Sequence, residues 1–146
     1  MNSPSSSSET LHASCVASRG RAILISGRSG SGKSDLALRL IDRGAVLVSD
    51  DYTIVRRVDD RLVASAPPTI AGKIEVRGVG ILEFDTVKDA PVALFVDLER
   101  DVERLPATHE GITIAGVEVP LIAATALEAS APVKVEAALR HIGLKA

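Results

Sequence analysis

The chain has 146 residues, 46 % of them apolar, and a net charge of −2, which suits one folded domain with an aliphatic core and excludes a disordered chain. Aromatic residues make up only 2 % and charges of both signs are interspersed, which argues against nucleic-acid binding by base stacking or through a broad basic face. A single cysteine, Cys15, excludes an internal disulfide and a cysteine zinc site, and no apolar run approaches the ~20 residues of a membrane span, so a soluble cytoplasmic protein with no membrane partner is expected.

Residues 1–10, MNSPSSSSET, are polar and Ser-rich and read as a disordered tail before a single domain, residues 11–146. Leu11 to Ala17 reads as a short strand that ends at the turn Ser18-Arg19-Gly20. AILIS, Ala22 to Ser26, is continuously apolar and stops at Gly27, as expected of a strand buried on both faces. From Lys33 to Arg43 the apolar residues Leu36, Ala37, Leu40 and Ile41 recur at helical spacing, and Gly44 ends the helix. AVLVS, Ala45 to Ser49, is a second buried-type strand, and the run from Ala22 to Ser49 reads as a βαβ unit.

Beyond it the spacing changes. Tyr52–Val58 and Arg61–Ala66 flank Asp59-Asp60 as a hairpin, and Pro67-Pro68 stops its second arm. Pro91 to Leu98 is a further strand, and Ile112 to Val119 a hairpin about Ala115-Gly116. Ala131 to Ile142 predicts a closing helix with Pro132 in its first turn. The expected class is α/β, with a mixed sheet richer in hairpins than a regular doubly wound one.

Between the first buried strand and the first helix lies GRSGSGKS, Gly27 to Ser34, which matches G-x-x-x-x-G-K-[ST], the P-loop pattern. Gly27, Gly30 and Gly32 permit a tight turn. The backbone N–H groups of Arg28, Ser29, Gly30, Ser31 and Gly32 can then point inward at phosphate oxygens, at the positive end of the helix dipole. Lys33 reaches the β- and γ-phosphates, and the Ser34 hydroxyl is placed to ligate Mg²⁺. ATP and Mg²⁺ are therefore the expected cofactors. No N-K-x-D base-reading motif occurs, which counts against a GTPase.

The strand Ala45–Ser49 should run parallel to Ala22–Ser26, so that Asp50 and Asp51 emerge at the edge that carries the loop. One carboxylate of this pair would hold Mg²⁺ and the other would take a proton from an attacking hydroxyl; a solvated turn is the plain alternative. AGKIEVRGVGI, Ala71 to Ile81, sets Glu75 and Arg77 among three glycines. Glu75 would complete a Mg²⁺ shell and Arg77 would neutralise phosphate, unless the stretch is an ordinary surface loop. His12 lies alone in the first short strand.

Taken together, His12 fifteen residues before Gly27, the loop followed by LALRLIDRGAVLVSDD, and KIEVRGVGI resemble the HPr kinase/phosphorylase family. The usual form of the last motif in that family is LEIRGLGI, and the resemblance covers roughly Leu11 to Leu82. It implies a protein-serine kinase that acts on HPr, the phosphocarrier of the sugar phosphotransferase system, or on a paralogue, with a fold similar to that of phosphoenolpyruvate carboxykinase. It also implies catalytic roles for Lys33, for Asp51 as the base and for His12 beside the transferred phosphoryl, and Ser34 and Glu75 as metal ligands; with Asp51 as the base, Asp50 is the carboxylate of the pair left to join them. The short form looks like that of some proteobacteria, without the family's N-terminal domain. FDTVKDAPV, Phe84 to Val92, lacks the family's arginine; Arg100 and Arg104 are the candidates further along. VPLIAATALEASAPVKV, Val119 to Val135, does not match the loop tied to dephosphorylation, so phosphorylase activity is expected to be weak or absent. Self-association is left open, and the competing readings are an ATP-binding regulator without transferase activity and a small-molecule kinase.

Overall fold

The computed structural model describes residues 8–145, and they form a large mixed sheet with two helices on one face and a small second sheet. The strands are β1 Ser8–Leu11, β2 Ala13–Ser18, β3 Arg21–Ser26, β4 Val46–Ser49, β5 Thr53–Val58, β6 Arg61–Ser65, β7 Lys73–Val76, β8 Gly80–Glu83, β9 Ala90–Asp97, β10 Glu110–Ile114 and β11 Val117–Ala123. The helices are α1 Lys33–Asp42 and α2 Ala131–Ile142. The main sheet runs β1-β5-β6-β9-β3-β2-β4, and the β10–β11 hairpin joins it along β9. The β7–β8 hairpin forms a small sheet of its own.

Of the expected disordered tail, residues 1–7 lie outside the described residues, but 8–10 do not behave as a tail. They belong to β1, paired antiparallel with β5 from Ser8↔Arg56 to Leu11↔Thr53. The single strand expected over Leu11–Ala17 is correspondingly two strands, broken at His12. Both differences have one cause: pairing with a hairpin some forty residues away orders a segment whose own composition does not.

The βαβ reading needs a second correction. β3 and β4 do run in the same direction, but β2 lies between them, antiparallel to both. β3 takes its parallel partner on the other side, from Ala22↔Val92 to Ser26↔Asp97 in β9. β9 is also parallel to β11 at Leu121–Ala123, while its first residues pair antiparallel with β6. The C-terminal ends of β3, β4, β9 and β11 therefore open on one edge of the sheet.

The core divides by the two-residue alternation of strands. Leu24, Phe95, Val48 and Val119 pack on one face with Val55 and Leu62 of the β5–β6 hairpin. Ile23, Ile25, Leu94 and Val96 face the helices and meet Leu36, Ala37 and Leu40 of α1 and Val135 and Leu139 of α2. β3 and β9 are buried on both faces, which is why they read as unbroken apolar runs. α1 starts without a side-chain cap, from Gly32 at φ 99°, and ends where Gly44 takes φ 112°.

Candidate active site

Four strand ends meet at that edge. Ser26 leads into the glycine loop, Ser49 into the aspartate pair, Asp97 into Glu99, and Ala123 into the turn that carries Ala126 and Leu127. Between the segments that follow β3, β4 and β11 and the β7–β8 hairpin as the opposite wall lies a cleft of about 600 Å³. It is lined by Ser29, Gly30, Gly32, Lys33 and Ser34 of the loop, by Asp50 and Asp51, and by Glu75 and Arg77 of the hairpin. Residues 71–81, for which a surface loop and a ligand-binding one were both open, are thus mostly hairpin and form one wall of the cleft.

The loop is held at both of its ends. Lys33 is only 4 % exposed, and its Nζ donates to the Arg28 carbonyl at 3.1 Å. The same Nζ lies 3.5 Å from Asp51 Oδ1. A Cβ on Gly32 would stand 2.8 Å from Ala126 Cβ, so both the space and the positive φ demand glycine there. Arg28 turns its side chain outward and does not line the cleft. Its backbone N–H donates to Glu99 Oε2 at 2.7 Å, and its Nε lies 3.0 Å from Glu99 Oε1. Ser31 Oγ is buried and, among the described residues, has no hydrogen-bond partner.

The two aspartates occupy different environments. Asp50 is buried and accepts three bonds from neutral donors: Ser34 Oγ at 2.6 Å and Ser14 Oγ at 3.0 Å on Oδ1, and the Glu75 N–H at 3.4 Å on Oδ2. Among the described residues no cationic side chain pairs with it. Asp51 is about half exposed and sits at φ 66°, at the centre of a three-residue turn closed by the Tyr52 N–H on the Asp50 carbonyl at 2.7 Å. Its Oδ1 lies 2.9 Å from His12 Nε2, and the His12 ring stacks on Tyr52 with centroids 4.9 Å apart. His12 reaches the site because the chain breaks there between β1 and β2.

The donor set can be compared with what Mg²⁺ takes. Mg²⁺ takes hard oxygen ligands, few of them from protein, and completes its shell with phosphate and water. A hydroxyl and a buried carboxylate 2.6 Å apart, without a counter-cation, are donors of that kind. Glu75 joins them in the cleft wall.

Arg100 does not reach the cleft. It pairs with Glu110 and Asp97, and these carboxylates push its guanidinium above the ordinary value. Arg77 is the arginine of the cleft lining. Sequence reasoning missed Ser14, Glu99, Tyr52 and Leu127. Each is a single residue with no motif, and its place depends on pairings between distant strands.

Comparison with known proteins places the chain as a whole among its relatives. The family model described as HPr Serine kinase C-terminal domain matches residues 4–146. The HPr kinase/phosphorylase of Caldicellulosiruptor bescii is 37 % identical over 126 residues, 77 % of this chain and 40 % of that protein. That of Chlorobium limicola is 38 % identical over 128 residues, 78 % of this chain and 39 % of that protein. The chain thus spans about two fifths of the length of these relatives. Among solved structures, the Hpr(Ser) kinase/phosphatase from Coxiella burnetii superposes with a TM-score of 0.78 at 29 % identity, covering 90 % of this chain and 88 % of that one.

Proposed function

The chain belongs to the HPr serine kinase C-terminal domain family, and we propose that it transfers the γ-phosphoryl of ATP to a serine of HPr or a paralogous phosphocarrier. The observation that carries this reading is Asp51, held 3.5 Å from the Lys33 ammonium at the loop end of a cleft wide enough for an incoming side chain. In this reading the glycine loop cradles the phosphates as a P-loop and Lys33 neutralises their charge. The Asp51 carboxylate accepts the proton of the serine hydroxyl as it attacks. His12, bonded to the same carboxylate oxygen, orients it toward the transferred group. Ser34, Asp50 and Glu75 would hold Mg²⁺, which supplies charge neutralisation at the phosphates. Positioning and electrostatics are most of what phosphoryl transfer asks of a protein.

The corresponding fold reading is the phosphoenolpyruvate carboxykinase-like kinase architecture. An antiparallel β2 between β3 and β4 supports it, since a plain parallel nucleotidase sheet has no such strand. The reverse, dephosphorylating direction is weak or absent in this reading. Incubation with ATP, Mg²⁺ and HPr, followed by mass mapping, should find one phosphoserine on the carrier. Tight ATP binding with no phosphorylated carrier would favour the regulator, and rapid transfer to a small acceptor the small-molecule kinase.

A further inference from the structure

We propose that Ser14 is a positioning residue for this transfer, its one hydroxyl fixing the Asp50 carboxylate and the Asp51 backbone together. The inference rests on the function proposed above and adds a residue that does not line the cleft. Ser14 lies in β2, in the run Ala13–Ala17, all of it buried, and is itself 0 % exposed. A hydroxyl in such surroundings is costly unless it is bonded. Here both of its capacities are turned toward the site.

The directions of the bonds follow from chemistry. The ionised Asp50 carboxylate can only accept, so Ser14 Oγ–H donates to its Oδ1 at 3.0 Å. The Asp51 amide can only donate, so it gives its N–H to the Ser14 lone pair, also at 3.0 Å. Asp51 needs that acceptor. A non-glycine residue at φ 66° is strained and keeps the conformation only where its surroundings hold it. The Tyr52 N–H ties the far side of the turn, and Ser14 ties the near side. Without Ser14 the turn is free to relax, and the Asp51 carboxylate leaves Lys33 and His12. Ser34 also donates to Asp50 Oδ1, but only Ser14 bonds both Asp50 and the Asp51 backbone.

Ser14→Ala removes both bonds by deleting one atom, and Ser14→Thr keeps the hydroxyl. Ser14→Cys, close in shape with a weaker hydrogen-bonding group, serves if the extra methyl of Thr does not fit. The Asp51 amide should exchange with solvent roughly 10-fold faster or more in Ser14→Ala, while the amides of β3 and β9 keep their rates. With HPr as acceptor, kcat should fall roughly 10- to 100-fold, as for a reacting group displaced by about an ångström. KM for ATP should change less than kcat, because Ser14 reaches the glycine loop only through Asp50 and Ser34. Thr should restore kcat, and Cys should fall between Ser and Ala.

Wild-type kcat in Ser14→Ala overturns the proposal. So does a loss of kcat matched by equal losses of ATP affinity and of β2–β4 protection, because that pattern marks a packing role. Wild-type protein inactive on HPr but showing the same contrast in Asp51 exchange overturns the proposed function, while the hold of the hydroxyl on the turn stands.

Discussion

Asp51 combines a chemical and a conformational demand, and the two can be separated by one substitution. Asn tolerates positive φ at least as well as Asp, so Asp51→Asn should keep the turn while removing the proton acceptor. Transfer should then fall by about 10²–10⁴ with ATP affinity retained, measured by steady-state kinetics beside nucleotide titration. Gly32→Ala makes the opposite test. It leaves every functional group in place but sets a methyl 2.8 Å from Ala126 Cβ at φ 99°. Nucleotide affinity should drop, and stability with it by about 1–3 kcal/mol in denaturant unfolding. Cys15 contributes to stability through its proton. Burial pushes its thiol above the ordinary value of 9.0. The unfolded chain therefore releases that proton from about pH 9 upward while the folded chain keeps it, and stability falls there by about 1.4 kcal/mol per pH unit. Cys15→Ala should lose that slope in unfolding measured from pH 8 to 10. At this scale the sequence is legible where spacing is local. Gly27, Gly32, Lys33 and Ser34 lie within eight residues and match a recognised pattern. Ser14 does not, because a lone serine in a strand has no period, and its partners are 36 and 37 residues away.

The elements show the same division. α2 falls at Ala131–Ile142 as its spacing predicts, because helical periodicity and Pro132 are both contained in the segment. The hairpins of β5–β6 and β10–β11 are equally local; in the second, Ala115 and Gly116 both take positive φ in the turn. The place of β2 between β3 and β4 is not local, since a strand's neighbours are chosen by the whole sheet and leave no mark on its own residues. The β7–β8 hairpin was hidden by its glycines, which serve turns and ligand loops alike. Glu99 shows how one element acts on another. It stands just past β9, and its carboxylate accepts the first N–H of the glycine loop. The exposed ion pair to the Arg28 side chain is worth about 0–1 kcal/mol, whereas the bond from a backbone N–H to a charged carboxylate is worth about 1.5–3. The backbone bond is the larger, so Glu99→Gln, which keeps an acceptor, should bind ATP nearly as the wild type does. Glu99→Ala should raise KM for ATP about five- to tenfold with little change in kcat, a split that initial-rate kinetics reads directly.

For the whole molecule, the two walls of the cleft differ in how firmly they are built. The sheet wall hangs on β3 and β9, which are packed on both faces, so it opens only when the domain unfolds. The opposite wall is a two-stranded sheet, marginal by itself. Ile74 is its buried anchor, while Ile81 and Val79 are 69 % and 67 % exposed, and the Phe84 N–H bonded to the Gly72 carbonyl closes its base. Few buried apolar groups tie it down, so it should open by itself far more cheaply than the main sheet. Amide exchange followed by mass spectrometry should find 73–83 exchanging well before β3 and β9. ATP with Mg²⁺ should slow 73–83 selectively, because Glu75 and Arg77 then gain partners across the cleft. Ile74→Ala should speed exchange in the hairpin while lowering global stability by less than the roughly 2–5 kcal/mol of a Leu→Ala change in a core. If the hairpin instead exchanges with the main sheet and ignores the nucleotide, the cleft is one rigid body, and Glu75 and Arg77 do not close on the phosphates.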